Sequence, residues 1–160
     1  MLAHPGQESF NRAIFDTAVA ALRAGGHEVV ALDLYADEVR SAQALVFVYP
    51  TWWSSVPAIL KGWLEKVMVP GVSFVFDEHH RVRRGLTNVT RIVGISTYAA
   101  PRSTVRLIND NGRRTVVRAL RLCTGMRTRA KWLALYKLPS TSDHDRAAFL
   151  RRVERTMAAL

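Results

Sequence analysis

Residues 44–57 read ALVFVYPTWWSSVP, and the change of chemistry along them decides the fold. The first six, Ala44 to Tyr49, are apolar without a break. A strand half-exposed to water alternates; a strand covered on both faces does not, and that is the habit of a parallel sheet. Pro50 and Pro57 then stiffen a loop that holds Trp52 and Trp53. From Pro57 onward the period changes to that of a helix. Val56, Ile59, Leu60, Trp63, Leu64, Val67 and Met68 form one apolar face, which Pro70 and Gly71 bring to an end.

The same alternation extends in both directions. Residues 10–24 place Phe10, Ile14, Ala18, Ala21 and Leu22 at helical spacing, with Ser9 as a cap and Gly25-Gly26 as a stop. Met1–Ala3 form a short first strand and residues 28–34 (EVVALDL) a second. Residues 72–86 read as a hairpin or excursion, 90–96 (TRIVGIS) as a strand, 113–122 as a helix and 128–136 as a last strand. A final helix runs from about Asp143 to Leu160, with Phe149, Val153 and Met157 along one side. Strands alternating with helices predict an α/β fold with a parallel sheet and helices on both faces. No repeat or linker divides residues 1–160, so one domain is expected.

Net charge is +10, and more than half of the 23 Lys and Arg lie between Arg81 and Lys131. That charge suits a phosphate-bearing cofactor, a nucleic acid or a plain solvated surface. No recognised nucleic-acid module accompanies it, which leaves a basic nucleic-acid-binding domain as the weakest of the three readings. The longest apolar runs are too short to cross a bilayer, and the N-terminus has no apolar signal core. Cys123 is the only cysteine, which fits a reducing compartment, so a soluble cytoplasmic protein is expected. His79 and His80 have no matching Cys/His pair, and no metal site is expected.

Three segments fall where strands end at their carboxyl edges, the place where open α/β sheets bind ligands. The first, from His4 to Asn11, opens a helix. Its amides and dipole favour a phosphate, although Ser9 and Asn11 are equally good helix caps. The second, from Tyr49 to Pro57, carries Trp52 and Trp53, which either flank a planar ring or cover the core. The third, from Ser96 to Pro101, has small residues whose amides can approach a ligand, or is an ordinary connector.

Taken together, the segments A-H-P-x-x-x-S-F-N at 3–11, Y-P-x-W-W at 49–53 and V-P-A-I-L-K-G-W at 56–63 resemble the NAD(P)H:quinone oxidoreductases of the flavodoxin-like fold, the DT-diaphorase type. The resemblance is good from residue 3 to about 100 and weaker beyond. It implies a three-layer sandwich with a five-stranded parallel sheet of order 2-1-3-4-5. The link between the second and third strands, Tyr35 to Gln43, must then span roughly 20 Å. Nine extended residues reach roughly 30 Å, so a linker fits and a crossover helix does not.

The resemblance also implies a flavin, FMN or FAD, with NAD(P)H as electron donor and a quinone or similar small molecule as acceptor. His4, Ser9, Phe10 and Asn11 would hold its phosphate end. Pro50, Thr51, Trp52 and Trp53 would pack on or bond to its ring, and Thr97, Tyr98 and Ala99 would aim amides at the ring's pyrimidine edge. Phe74 and Phe76 would line the substrate cleft of a symmetric homodimer. The third loop of the family is usually glycine-rich, where this chain has Tyr98-Ala99-Ala100. If a positive φ were needed there, Ala would cost roughly 1 kcal/mol relative to Gly. No His lies between Thr97 and Gly112 to complete a proton-handling Tyr/His pair, so no catalytic acid or base is assigned. Some relatives are non-catalytic ancillary subunits of potassium-efflux transporters, which is the alternative reading of the chain.

Overall fold

The computed structural model describes residues 9–31, 38–125 and 127–160. Three strands, β1 (Ala44–Pro50), β4 (Arg91–Thr97) and β5 (Arg129–Leu135), form a parallel sheet in the order β1-β4-β5. Pairing is in register from Ala44↔Arg91↔Arg129 to Pro50↔Thr97↔Leu135, so all three strands end side by side. Two short strands, β2 (Phe74–Phe76) and β3 (Val82–Arg84), make the antiparallel hairpin expected within 72–86.

Helices cover both faces. α1 (Phe10–Ala24) and α6 (Asp143–Ala158) pack on one, where Ile14, Ala18, Phe149, Val153 and Met157 meet Val48, Val93, Ile95 and Leu133. On the other, α2 (Ala58–Val67) brings Leu60, Trp63 and Leu64 onto Phe47, Tyr49 and Ile92. Residues 111–124 complete that layer as α4 (Asn111–Arg114), a π-helical stretch over Thr115–Ala119 and α5 (Leu120–Thr124), burying Val116 and Leu120. A short helix, α3 (Arg102–Leu107), precedes them.

Two expectations are met only partly. Glu28–Ala31 carry no strand among the described residues, while 32–34 and Met1–Ala3 lie outside the described residues. Of the link 35–43, Glu38–Arg40 form a single 3-10 turn that buries Val39. The flavodoxin-like α/β arrangement stands, with three parallel strands among the described residues rather than five.

Close approach in the sheet centres on Gly94. The Trp132 ring from β5 lies over it, so that a Cβ at 94 would stand 2.0 Å from Trp132 Cζ3. Trp132 in turn meets Tyr49 edge to face, with centroids 6.1 Å apart. The missing side chain of one strand is filled by the large ring of its neighbour. At the other end of the chain a capping box starts α6. Ser142 Oγ accepts from the Asp145 amide at 3.1 Å, and the Asp145 carboxylate accepts from the Ser142 amide at 3.1 Å and its hydroxyl at 2.7 Å.

Gly94→Ala is expected to cost about 2–3 kcal/mol of stability through overpacking. Trp132→Leu in the same chain should recover part of that loss, so urea unfolding of the two single variants and the double variant must be non-additive. For α6, the Ser142 hydroxyl, then its amide, holds the Asp145 carboxyl below the ordinary value. The bond therefore supports the helix above the usual Asp range near pH 4 and is lost as pH falls through the lower folded value. The stability difference between the parent and Asp145→Asn, followed by thermal melts, should shrink across that acid range.

Candidate functional site

Because the three strands end in register, the loops after them open at one edge. The ladder even continues past the strand ends: the Thr51 amide donates to Thr97 O at 2.9 Å, and the Tyr98 amide to Leu135 O at 2.8 Å. Hydroxyls reinforce the seam. Ser96 Oγ donates to Tyr49 O at 2.9 Å, which commits its only proton, so Thr51 Oγ1 is the donor in the 2.8 Å contact with Ser96 Oγ.

Beyond this seam the loop of residues 51–55 makes a tight turn. Trp52 and Ser55 exchange backbone hydrogen bonds at 3.2 and 2.9 Å, with Trp53 at φ 47° and Ser54 at φ 60° between them. Two successive left-handed residues define a type I′ turn, ordinarily given to Asn and Gly. Trp53 is wholly exposed at the tip (101%) and Trp52 is half exposed (45%), so Trp53 is not a core residue. The turn is anchored from behind, since Ser54 Oγ donates to Ile108 O at 3.3 Å and the Gly112 amide to Ser54 O at 3.3 Å.

The third loop departs from expectation at Tyr98. Its amide is taken by Leu135 O as the ladder runs on, and its ring is buried against Tyr136, stacked at 4.8 Å. The Tyr98 hydroxyl donates to Asp110 Oδ2 at 2.9 Å. Burial pushes that hydroxyl well above the ordinary tyrosine value and the Asp110 carboxylate adds to the shift, so it stays protonated and donates. The amides of Ala99 and Ala100 are the ones without a partner among the described residues. None of residues 98–100 has positive φ, so the glycines usual in this loop are not required here.

The first segment touches the same edge through Asn11. Its side chain is buried and Nδ2 donates to Thr97 Oγ1 at 3.2 Å, while Oδ1 has no partner among the described residues. Ser9 Oγ accepts from the Arg12 amide at 3.2 Å, the cap of α1. Phe10 lies under the Arg146 guanidinium of α6, 6.0 Å from its ring, and packs on the α1/α6 core cluster. His4 lies outside the described residues. Pro50 is buried at the strand end. Phe74 and Phe76 belong to the hairpin and meet each other edge to face at 5.9 Å, with Phe76 56% exposed.

Sequence reasoning missed three groups at this edge. Asp110, Tyr136 and Tyr49 join Tyr98 in one electrostatic cluster. Burial, then Tyr98 and Asp110, pushes the Tyr49 hydroxyl far up, and that hydroxyl is buried without a partner. The available signal was the Asn109-Asp110-Asn111-Gly112 turn string, whose Asn109 and Asp110 both have positive φ.

A family described as having the flavodoxin-like fold matches residues 1–155. Rat NAD(P)H dehydrogenase [quinone] 1 is 29% identical over 121 aligned residues, covering 48% of this chain and 44% of the rat protein. The chain thus spans about half the length of the curated relatives it matches. Among solved structures, an NAD(P)H:quinone oxidoreductase from Methanothermobacter marburgensis has TM-score 0.76 at 22% identity, over 98% of this chain and 94% of its own. An FMN-dependent NADH-azoreductase from Bacillus anthracis, solved in complex with FMN, has TM-score 0.77 at 12% identity, over 99% and 95%. At those identities the two structures establish likeness of fold.

The exposed, left-handed Trp53 can be separated from a core tryptophan by its energetics. In ligand-free protein, Trp53→Gly is expected to leave stability within about 1 kcal/mol of the parent, because relief of the left-handed backbone offsets the entropy gained by the unfolded chain. Truncating a core tryptophan costs about 3–5 kcal/mol. Urea midpoints of the two ligand-free proteins measure the difference, and a loss in the core range would contradict the exposed placement.

Proposed function

The chain belongs to the family of the flavodoxin-like fold, and from that premise we propose that it is a flavin-dependent NAD(P)H oxidoreductase that passes hydride to a quinone or similar small acceptor. One observation carries the reading. At the edge where the three strands end together, two backbone amides without partners among the described residues, Ala99 and Ala100, accompany an exposed tryptophan held in a strained turn. Non-glycine residues persist in left-handed conformations where surrounding structure enforces them, and such positions cluster at ligand sites.

The residues present fit FMN or FAD. His4, Ser9, Phe10 and Asn11 belong to its phosphate end, where the start of α1 offers a positive dipole. Asn11 is fixed by its bond to Thr97 and keeps a buried Oδ1 unpartnered, the kind of atom a ligand donor would satisfy. Pro50, Thr51, Trp52 and Trp53 would pack on or bond to the ring, and Thr97, Tyr98 and Ala99 would form the loop toward its polar edge. In that loop Ala99 and Ala100 supply the donors, and Tyr98 acts as a wall through its stack on Tyr136 and its bond to Asp110. When bound, the flavin supplies the two-electron chemistry, taking hydride from NAD(P)H and giving it to the acceptor. The chain's own part is to orient: fixed amides stabilise negative charge at the pyrimidine edge without reorganising, and the tryptophan turn excludes water from one face.

Further parts of the reading rest on the same premise. The three described strands are taken as the last three of a five-stranded sheet of order 2-1-3-4-5. A groove beside β1, lined by Phe15, Leu22, Val46 and Val48 with His27, Gln43 and Arg91 at its polar part, supports this. The exposed Ile59 of α2, with Phe76 and Val82 of the hairpin, supports a symmetric homodimer in which Phe74 or Phe76 faces the partner's site. The chain is read as one cytoplasmic domain. No helix among the described residues is long and apolar enough to cross a membrane.

Equilibrium titration of the full chain with FMN and with FAD tests the reading. Saturable binding of at least one is expected, followed as quenching of tryptophan emission and of flavin fluorescence. Trp53→Gly should weaken it by about tenfold, roughly 1.4 kcal/mol, while leaving the ligand-free fold intact. No binding of either flavin at high micromolar concentration would overturn the proposal.

A further inference from the structure

The two short helices that follow the third loop, α3 and α4, carry Arg102, Arg106, Arg113 and Arg114, and the one acid between Glu78 and Asp143 is Asp110. That acid is already committed. Its Oδ2 accepts from the Tyr98 hydroxyl at 2.9 Å, and its Oδ1 accepts from the Arg113 amide at 3.3 Å as the cap of α4.

Two guanidiniums stand beside this group. Arg102 opens α3 directly after the loop that carries the free amides of Ala99 and Ala100, and Arg113 lies in the turn that Asp110 caps. Both side chains are exposed, and neither is within ion-pair distance of a carboxylate among the described residues. Arg102 follows the loop of Tyr98, and Arg113 sits in the turn whose Asp110 holds the Tyr98 hydroxyl, so the chain places both around the Tyr98–Tyr136 stack. Burial and Asp110 push the Tyr136 hydroxyl up, and the charges of Arg102 and Arg113 pull it back. Two unpaired arginines flanking one site make a receptor for an anion, and the planar fork of guanidinium matches phosphate oxygens two at a time.

We propose that Arg102 and Arg113 form a phosphate-reading pair that selects the electron donor, favouring the dinucleotide with an added 2′-phosphate, NADPH, over NADH. The proposal rests on the oxidoreductase reading above, which brings a dinucleotide to this edge. A quinone acceptor is neutral and gives the pair nothing to bind. The donor's pyrophosphate and its 2′-phosphate share one chemistry, and the experiment separates them.

Calorimetric titration of the full chain, with and without added flavin, compares adenosine 2′,5′-bisphosphate with ADP. The parent should bind the bisphosphate at least about tenfold more tightly, and R102Q/R113Q should abolish that preference. Arg23→Gln, in the last turn of α1 at the opposite end of the sheet, controls for net charge and should keep it. Steady-state KM values should follow, with the NADPH to NADH ratio rising in R102Q/R113Q. Equal weakening for ADP and the bisphosphate would place the pair at the pyrophosphate and overturn donor selection. Unchanged affinities in R102Q/R113Q, or an equal loss in Arg23→Gln, would overturn it as well. Absence of flavin binding strikes the oxidoreductase reading, whereas bisphosphate binding that ignores the arginines strikes the pair alone.

Discussion

Pro50, Thr97 and Leu135 stand abreast across the parallel ladder, and everything at the candidate site depends on that alignment. Parallel strands are covered on both faces, so their connections leave at the ends, and strands that end together deliver their loops together. The two backbone bonds that extend the ladder, from Thr51 to Thr97 and from Tyr98 to Leu135, also decide which amides remain for a ligand. Tyr98 is consumed by the sheet; Ala99 and Ala100, one step further, are not. A shift of one residue in register would exchange those roles and turn Tyr98 out of its stack on Tyr136.

Local patterns made much of the fold legible. The unbroken run from Ala44 to Tyr49 announced a doubly covered strand, and the apolar face from Val56 to Met68 the helix after it. The phenylalanines and arginines of 72–86 formed the expected hairpin, and Asp143–Ala158 the expected final helix. What was hidden depends on partners far away in sequence. Nothing near Gly94 says that Trp132 will lie over it, since that pairing arises only when β4 and β5 take up their register. Nor does the loop at Tyr98 reveal that its hydroxyl meets Asp110, because the bond needs two left-handed residues at 109 and 110 to turn the chain. The segments at 4–11, 49–53 and 97–99 were legible as loops after strands. The division of labour within them, such as Ser9 capping α1 and Asn11 reaching Thr97, was not.

Some of the fold's local costs fall at this edge. Trp53 and Ser54 occupy backbone conformations that disfavour L residues by about 1–2 kcal/mol each. The Tyr49 hydroxyl and Asn11 Oδ1 are buried without partners among the described residues. The turn closing the β2–β3 hairpin also holds a left-handed residue, His80 at φ 58°, and there the Asp77 carboxylate braces the turn by taking the His79 and Arg81 amides and two guanidinium groups.

The tryptophans also give the protein an optical layout. Trp63 is sealed in the core, Trp132 is half-buried, Trp52 lies at the boundary and Trp53 stands entirely in water. Indole emission moves to longer wavelength as the ring meets mobile water dipoles, so the four residues do not contribute evenly across the spectrum. The red edge belongs to the turn at 52–55 and the blue edge to the packed interior. A single unlabelled sample can therefore be interrogated in two places at once, with aqueous quenchers reaching the turn and leaving the core emission as an internal reference.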